Sequence, residues 1–285
     1  MIPAAFDYTR PSTVDEAVRA LAGGGEDAKV LAGGQSLIPV LRLRMAAPTV
    51  LVDIGGVGEL RGVRDDGDAL VIGATTRHAD LLRDPLVAEH APLLAQAAAK
   101  VGDRQVRHLG TIGGSLSHAD PAGDLPGAAM ALDASFEIAG PGGRRTVSAS
   151  EFFVDFLTTA LAPDEVLVSV RVPKLPGWTV HYEKFVRVAQ AWAIAGVAAV
   201  VRRENGSIAE ARVALTNMGN TPLRAGAVEA ALAGAPATVD AVTSAAGRAG
   251  EGTDPPSDAF ASADYRRHLV TVLAKRAVLA AGGIS

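Results

Sequence analysis

The chain contains no cysteine. That absence excludes disulfides, thiolate catalysis, cysteine-ligated zinc and any cysteine-held iron–sulfur cluster on this chain. Electrons that travel through such a cluster must do so on another chain. Positive charge is not in excess either: 27 Lys and Arg against 31 Asp and Glu give a formal net charge of -4, so no nucleic-acid-binding face is expected. Long apolar runs are missing. The longest, Ala191 to Val201, falls well short of the roughly 20 residues of a membrane-spanning helix. Met1-Ile2-Pro3 opens no signal peptide, and the expected location is the cytoplasm. There is no internal repeat, no low-complexity tract, no G-x-G-x-x-G dinucleotide fingerprint and no G-x-S-x-G nucleophile elbow.

What is present is a globular composition, 48% hydrophobic over 285 residues, enough for one large domain or two to three small ones. Two glycine-rich stretches stand out. The first is Leu31-Ala32-Gly33-Gly34-Gln35-Ser36-Leu37-Ile38-Pro39, after a strand-like run from Lys29. The second is Gly110-Thr111-Ile112-Gly113-Gly114-Ser115-Leu116-Ser117-His118-Ala119-Asp120-Pro121-Ala122-Gly123-Asp124-Leu125-Pro126. Gly and Pro break helices and strands, so the second stretch reads as a shaped loop. Its glycine pair admits close backbone approach to a ligand. Thr111, Ser115 and Ser117 offer hydroxyls, and Asp124 offers a carboxylate suited to a diol. A nucleotide-like ligand held between two lobes would use all of these. His118 with Asp120 and Asp124 has the residue types of a metal site, but carboxylates beside a phosphorylated ligand are otherwise explained.

The pair AGGQSLIPVLRLRMAAP and TIGGSLSHADPAGDLP, in this order and spacing, resembles the flavin subunit of the molybdenum hydroxylases, the family of aerobic carbon monoxide dehydrogenase and xanthine dehydrogenase. The resemblance extends over nearly the whole chain. It implies an α+β protein with a two-lobed FAD-binding region of the molybdopterin-dehydrogenase (PCMH/VAO-like) type at residues 1–176, lobes about 1–57 and 58–176. A small α+β C-terminal domain at 177–285 follows. The lack of cysteine sets the chain apart from family members that carry an extra cluster in this subunit.

The resemblance also assigns residues. Ala32, Gly33, Gly34, Gln35, Ser36 and Leu37 are expected to face the pyrophosphate of FAD, with Thr111, Gly114, Ser115 and Asp124 at its ribityl, ribose or phosphate parts. His118 and Asp120 complete that loop, Asp120 either binding or shaping it. Leu161 matches an apolar position near the flavin, and Lys184 a lysine beside the isoalloxazine, where a cation would stabilise the anionic reduced ring. Trp192 stands where relatives place an aromatic, often Tyr, against the ring. The implied function is electron transfer within a multi-subunit molybdenum hydroxylase. Molybdopterin would lie on a large partner subunit and two [2Fe–2S] clusters on a small one, in a dimer of heterotrimers. Two alternatives stay open: a self-contained FAD oxidoreductase acting directly on an organic substrate, and a non-enzymatic nucleotide-binding module.

Local signals predict several elements. Thr13 and Glu16 have capping-box spacing before a helix with Val14, Ala17, Val18 and Leu21 on one face. Thr76 is expected to cap a helix through Leu82, with one longer helix from Pro85 to Val101. Ser148 to Phe156 reads as a short helix and Val166 to Val172 as a half-exposed strand. Asn205-Gly206 marks a tight hairpin turn. A final helix from Asp264 to Ala281 should bury a stripe containing Tyr265, Leu269, Val272, Leu273, Arg276 and Ala280.

Overall fold

The computed structural model describes residues 2–285; Met1, the first residue of the Met1-Ile2-Pro3 opening, lies outside them. The first lobe is a parallel sheet in the order β1-β3-β2, from β1 (Asp7–Thr9), β2 (Ala28–Leu31) and β3 (Val50–Asp53). Parallel strands need crossovers, supplied by α1 (Val14–Gly24) and the short α2 (Leu37–Arg42). The α1 start follows its sequence: Thr13 Oγ1 accepts the Glu16 N–H at 3.2 Å, and the Glu16 carboxylate accepts the Ser12 N–H at 2.8 Å. Its apolar face, Val14, Ala17, Val18 and Leu21, is buried.

The second lobe opens with the hairpin β4 (Val63–Asp66) and β5 (Ala69–Gly73). Six short helices follow: α3 (His78–Leu81), α4 (Pro85–His90), α5 (Pro92–Ala99), α6 (Arg104–Leu109), α7 (Ile112–His118) and α8 (Asp124–Ala131). Then come β6 (Ser135–Gly140), β7 (Gly143–Ser148), α9 (Ala149–Phe152), the small hairpin β8 (Phe153–Asp155) and β9 (Thr158–Thr159), and β10 (Val166–Pro173). The antiparallel sheet has the order β4-β5-β10-β6-β7.

Several local expectations are corrected by tertiary context. The proposed single helix from Pro85 to Val101 is split, because Pro92 restarts the chain after a non-helical Ala91. Arg77, not Thr76, precedes α3, and the Thr76 hydroxyl instead donates to the Gly62 carbonyl at 3.1 Å. The region from Ser148 is helical only to Phe152 before turning into β8. The strand β10 is central, not half-exposed. A register shift between Leu167 and Ser169 sends Val166 and Val168 into the core under α1 and Leu167, Val170 and Val172 into the core of the second lobe.

The last unit is an antiparallel sheet β11 (Trp178–Phe185), β12 (Ala195–Glu204), β13 (Ser207–Thr216) and β14 (Leu223–Arg224), backed by α10 (Gly226–Leu232), α11 (Val239–Ala246) and α12 (Ala263–Gly282). The hairpin turn has Asn205 at φ 50° and Gly206 at φ 79°, the left-handed pair that matches strand twist. On β12, Ala198 and Val200 enter the second lobe's core while Val197, Ala199 and Val201 pack under the helices. This strand therefore fastens the last unit to the second lobe. The buried stripe of α12 runs through Arg266, Leu269, Val270, Leu273, Ala274, Ala277 and Val278. Tyr265, Arg276 and Ala280 are exposed, so the expected face is rotated by about one residue. No helix among the described residues is long and apolar enough to cross a membrane.

The second lobe's core holds three packed rings in tilted and edge-to-face contact, with Phe136 4.4 Å from Phe152 and 6.0 Å from Phe153 between centroids. Phe136, on β6 beside the central strand β10, is fully buried. Phe136→Ala is expected to cost about 3–5 kcal/mol of stability, read as a fall in the urea midpoint. A midpoint unchanged from wild type would mean that this cluster does not hold the lobe.

Candidate functional site

The two glycine stretches meet backbone to backbone. β2 delivers the chain to Gly33, where a Cβ would stand 2.2 Å from the Leu109 carbonyl oxygen and 2.8 Å from Gly110 Cα. Only glycine permits that approach between the lobes. Gly34, at φ 71°, turns the chain into α2; its carbonyl accepts the Ile38 N–H at 3.0 Å, and the Gln35 side chain donates to the Gly33 carbonyl at 3.1 Å. Among the described residues, the N–H groups of Gly33, Gly34, Gln35 and Ser36 donate to no protein acceptor. All four residues are half-buried, and successive unpaired N–H groups in such a turn form an anion-binding concavity. Ala32 and Leu37 flank it, also half-buried.

The second stretch is not a loop but two helices and a turn, which corrects the reading from its glycines. Thr111 is the N-cap of α7 and accepts the Gly114 N–H at 3.1 Å. Position 113 requires glycine because α7 lies directly on β5's exit: a Cβ would sit 2.5 Å from Ala74 Cβ, and the Gly113 N–H reaches the Ala74 carbonyl at 2.8 Å. Pro126 falls in the first turn of α8, where its missing N–H leaves no intrahelical bond unmade. Between the helices, Asp120 shapes the turn, its carboxylate accepting the Ala122 N–H at 2.9 Å and its carbonyl the Gly123 N–H at 2.8 Å. His118 Nε2 stands 3.9 Å from the Asp120 carboxylate. Thr111 is buried, whereas Gly114 is exposed and Ser115 half-buried.

Asp124 does not present an open carboxylate for sugar hydroxyls, as its sequence context suggested. It is buried at the start of α8, where one oxygen accepts from Tyr182 Oη and the other from Lys184 Nζ, each at 2.8 Å. Lys184 Nζ also donates to the Lys100 carbonyl at 3.0 Å. The side chains of Asp124 and Lys184 are each 4% exposed, so the lysine is no surface cation. Burial raises the Asp124 carboxyl above its ordinary range against the opposing pull of Lys184 and Tyr182, and burial raises Tyr182 well above the usual phenol value. Leu161 is half-buried against the second lobe's core. Trp192 is 56% exposed, and its neighbour Ala193 is tied to the turn after α7, the Ala193 N–H reaching the Ala122 carbonyl at 3.4 Å.

Two residues that the sequence did not single out complete this arrangement. Tyr182 precedes Lys184 by two positions on β11, hence shares its face, and that spacing was the available signal. Asn217, at φ 62°, donates from its side chain to the Ala193 carbonyl at 2.7 Å and from its backbone to the Pro121 carbonyl at 2.8 Å; no local pattern marks it. Behind Gly110 lies His78, 3% exposed, with Nδ1 unpartnered. Burial, with help from Arg107, lowers its imidazole from 6.5 to about 4.

Residues 4–175 match the family model of the FAD binding domain in molybdopterin dehydrogenase, and residues 180–281 that of the CO dehydrogenase flavoprotein C-terminal domain. The chain belongs to the FAD-binding medium subunits of the molybdenum hydroxylases of CO dehydrogenase and xanthine dehydrogenase type, an oxidoreductase family whose cofactor on this subunit is FAD. Among individual proteins it is similar to the carbon monoxide dehydrogenase medium chain of Hydrogenophaga pseudoflava, 43% identical over 99% of this chain and 98% of that one. It is 31% identical to the putative xanthine dehydrogenase FAD-binding subunit of Escherichia coli (strain K12) over 97% of each. It also superposes on the crystal structure of quinoline 2-oxidoreductase from Pseudomonas putida 86 with TM-score 0.95 at 34% identity, covering 99% of both chains.

Two outcomes follow from this geometry. Gly33→Ala forces the lobes apart and is expected to weaken FAD binding about tenfold or more, measured by quenching of flavin fluorescence; unchanged affinity would show that the contact with Leu109 does not shape the site. For His78, the unfolded chain binds more protons between pH 6.5 and about 4, so stability is lost as pH falls through that window, by about 3 kcal/mol at its full extent. His78→Leu is expected to flatten the difference between urea midpoints at pH 7 and pH 4.5, and an equally steep variant would refute the assignment.

Proposed function

We propose that this chain is the electron-transfer subunit of a cytoplasmic molybdenum-dependent hydroxylase, placed between [2Fe–2S] clusters on a small partner chain and an external acceptor. Substrate chemistry falls to a molybdenum-bearing large chain, and the whole assembles as a dimer of heterotrimers. FAD, when bound, supplies the conversion between one-electron delivery by clusters and two-electron release. The observation that carries this reading is the row of unpaired N–H groups at Gly33–Ser36, pressed by Gly33 against the start of the second stretch.

The residues present fit FAD at this seam. The N–H groups of Gly33, Gly34, Gln35 and Ser36 suit the pyrophosphate, with Ala32 and Leu37 at the edges. Gly114 and Ser115, on the accessible side of α7, suit the ribityl or ribose hydroxyls. Thr111, His118 and Asp120 act on this surface by fixing α7 and its following turn. The ring end is assigned to Leu161, Lys184 and Trp192. Here the structure alters the chemistry expected of the lysine: its charge is balanced at 2.8 Å by Asp124, so the pair offers a held N–H donor and a dipole in place of a free cation.

The division of labour is supported by the absence of cysteine and by the relatives' names. Proteins of this shape are named for carbon monoxide, xanthine and quinoline, a spread that supports a reading in which substrate choice lies away from the part they share. The test is the visible spectrum of the purified chain, alone and after incubation with FAD or FMN, followed by anaerobic reduction. Flavin bands with preference for FAD, and no reduction by an organic donor until partner chains are added, are expected. Direct reduction of the lone holo-chain by such a donor would overturn the proposal in favour of a self-contained oxidoreductase.

A further inference from the structure

Arg266 stands in the first turn of α12 with its side chain 1% exposed. Neither the helix nor the core asks for a cation there. A positive charge at a helix N-terminus opposes the helix dipole, and the stripe that joins α12 to its sheet is otherwise apolar, through Leu269, Val270 and Leu273. Burying a guanidinium also costs more than burying an apolar side chain of similar volume, the more so because Arg266 Nε has no hydrogen-bond partner among the described residues. Against that cost stand two contacts. One terminal nitrogen donates to the Asp258 carboxylate at 2.6 Å, and the other donates to the Ile194 carbonyl. Asp258 is itself held: its second oxygen accepts the Phe260 and Ala261 N–H groups at 2.8 and 3.0 Å.

The Ile194 carbonyl is a group that the sheet leaves over. β12 is in register with β11 from Ala195, opposite Phe185, and with β13 from Gly196, opposite Thr216, so the carbonyls of Ala193 and Ile194 precede both registers. Asn217, the residue after β13, donates from its side chain to the same two carbonyls, at 2.7 and 3.4 Å. Arg266 and Asn217 thus close from two elements on one dipeptide. The dipeptide directly follows Trp192, which is 56% exposed, so burial does not hold that ring in place. Peptide planarity does: the Ala193 N–H lies in one plane with Trp192 Cα and donates to the Ala122 carbonyl at 3.4 Å, while the next peptide plane is fixed through the Ala193 carbonyl. The Asn217 N–H donates to the Pro121 carbonyl at 2.8 Å, which ties the arrangement to the turn after α7.

We propose that Arg266 and Asn217 are positioning residues for the ring end of the flavin site: holding the Ala193 and Ile194 carbonyls, they fix the direction in which Trp192 leaves the sheet, and Asp258 aims Arg266. The proposal rests on the assignment of Trp192 to the ring. It gives α12, which carries no residue assigned to the cofactor, a part in the site through one buried cation. The crossover before Trp192 has little else to fix it, since Arg187 to Gln190 are exposed and its far end is closed by the Ile194 N–H on the Phe185 carbonyl at 2.9 Å.

The test uses the purified chain, flavin-free and loaded with FAD, as wild type, Asn217→Gly, Arg266→Met and Trp192→Phe, with Arg267→Gln, the half-exposed neighbour on α12, as control. Glycine takes the left-handed φ of position 217 without strain, so Asn217→Gly carries the test if Arg266→Met does not fold. In the flavin-free chain, hydrogen exchange over residues 186–194, followed by mass spectrometry, is expected to quicken about tenfold in both variants, the worth of one hydrogen bond, and to stay at the wild-type rate in Arg267→Gln. In the loaded chain, an indole against the ring quenches its emission by electron donation. Trp192→Phe is therefore brighter than wild type, Asn217→Gly and Arg266→Met rise toward its level, and W192F/N217G is no brighter than Trp192→Phe alone. Exchange no faster than wild type, emission that the two variants leave unchanged while Trp192→Phe raises it, or an increase that adds to that of Trp192→Phe, each overturns the positioning role. A chain that holds FAD yet shows no change in Trp192→Phe removes Trp192 from the ring, and the proposal with it, while leaving the FAD reading intact; a chain that takes up no flavin sinks both.

Discussion

The structure depends on one buried contact, the Asp124 carboxylate between Tyr182 and Lys184. Asp124 starts α8 in the second lobe, and its two partners lie on β11 of the last unit. A buried ion pair adds little net stability, because desolvation offsets the Coulomb gain, but breaking it by removing one member strands a charge in the interior. Such a contact selects an arrangement more than it strengthens one. Here it selects the register of β11 against the helical layer: the Tyr182 N–H donates to Gln96 of α5, and Lys184 reaches the carbonyl just past that helix. Once that register is set, the turn at Pro121–Ala122 meets Asn217 and Ala193, and the segment carrying Trp192 is drawn to the end of α7.

The glycines of the two stretches act differently from one another. Gly34 supplies a left-handed φ, and Gly33 and Gly113 supply the missing Cβ that lets backbone touch backbone. Gly33 leaves its neighbours' N–H groups unpaired, whereas the N–H groups that start α7 are taken by Thr76, Ala74 and Thr111. The two stretches look alike in sequence, yet only the first retains free backbone donors. The second contributes a surface, and its polar residues mostly hold that surface in shape.

What could be read from sequence was what local chemistry decides. The Thr13–Glu16 cap, the Asn205–Gly206 turn and the glycine pairs each act within a few residues of themselves. What could not be read depends on partners far along the chain. Asp124 meets Tyr182 and Lys184 from 58 and 60 positions away, so its carboxylate looked free. Gly113 is required by its contact with Ala74, whose carbonyl accepts its N–H and whose Cβ leaves no room for a side chain. The face of α12 was misplaced because its largest fully buried side chain is Arg266, a charge that pattern reading assigns to solvent. It is held by Asp258 and the Ile194 carbonyl.

The balanced state of Lys184 bears on how such a subunit works. A free ammonium beside a flavin stabilises the anionic reduced ring and holds electrons there. That suits a terminal sink. A carrier between clusters and an acceptor has to release what it receives, and a lysine already neutralised by Asp124 leaves a much weaker field outside the pair while keeping a donor fixed in position. On the proposed assignment of Lys184 to the ring, Asp124 therefore acts on the cofactor without touching it: it cancels most of the lysine's charge and, with the Lys100 carbonyl, holds the ammonium in place, while Tyr182 Oη fixes the Asp124 carboxylate.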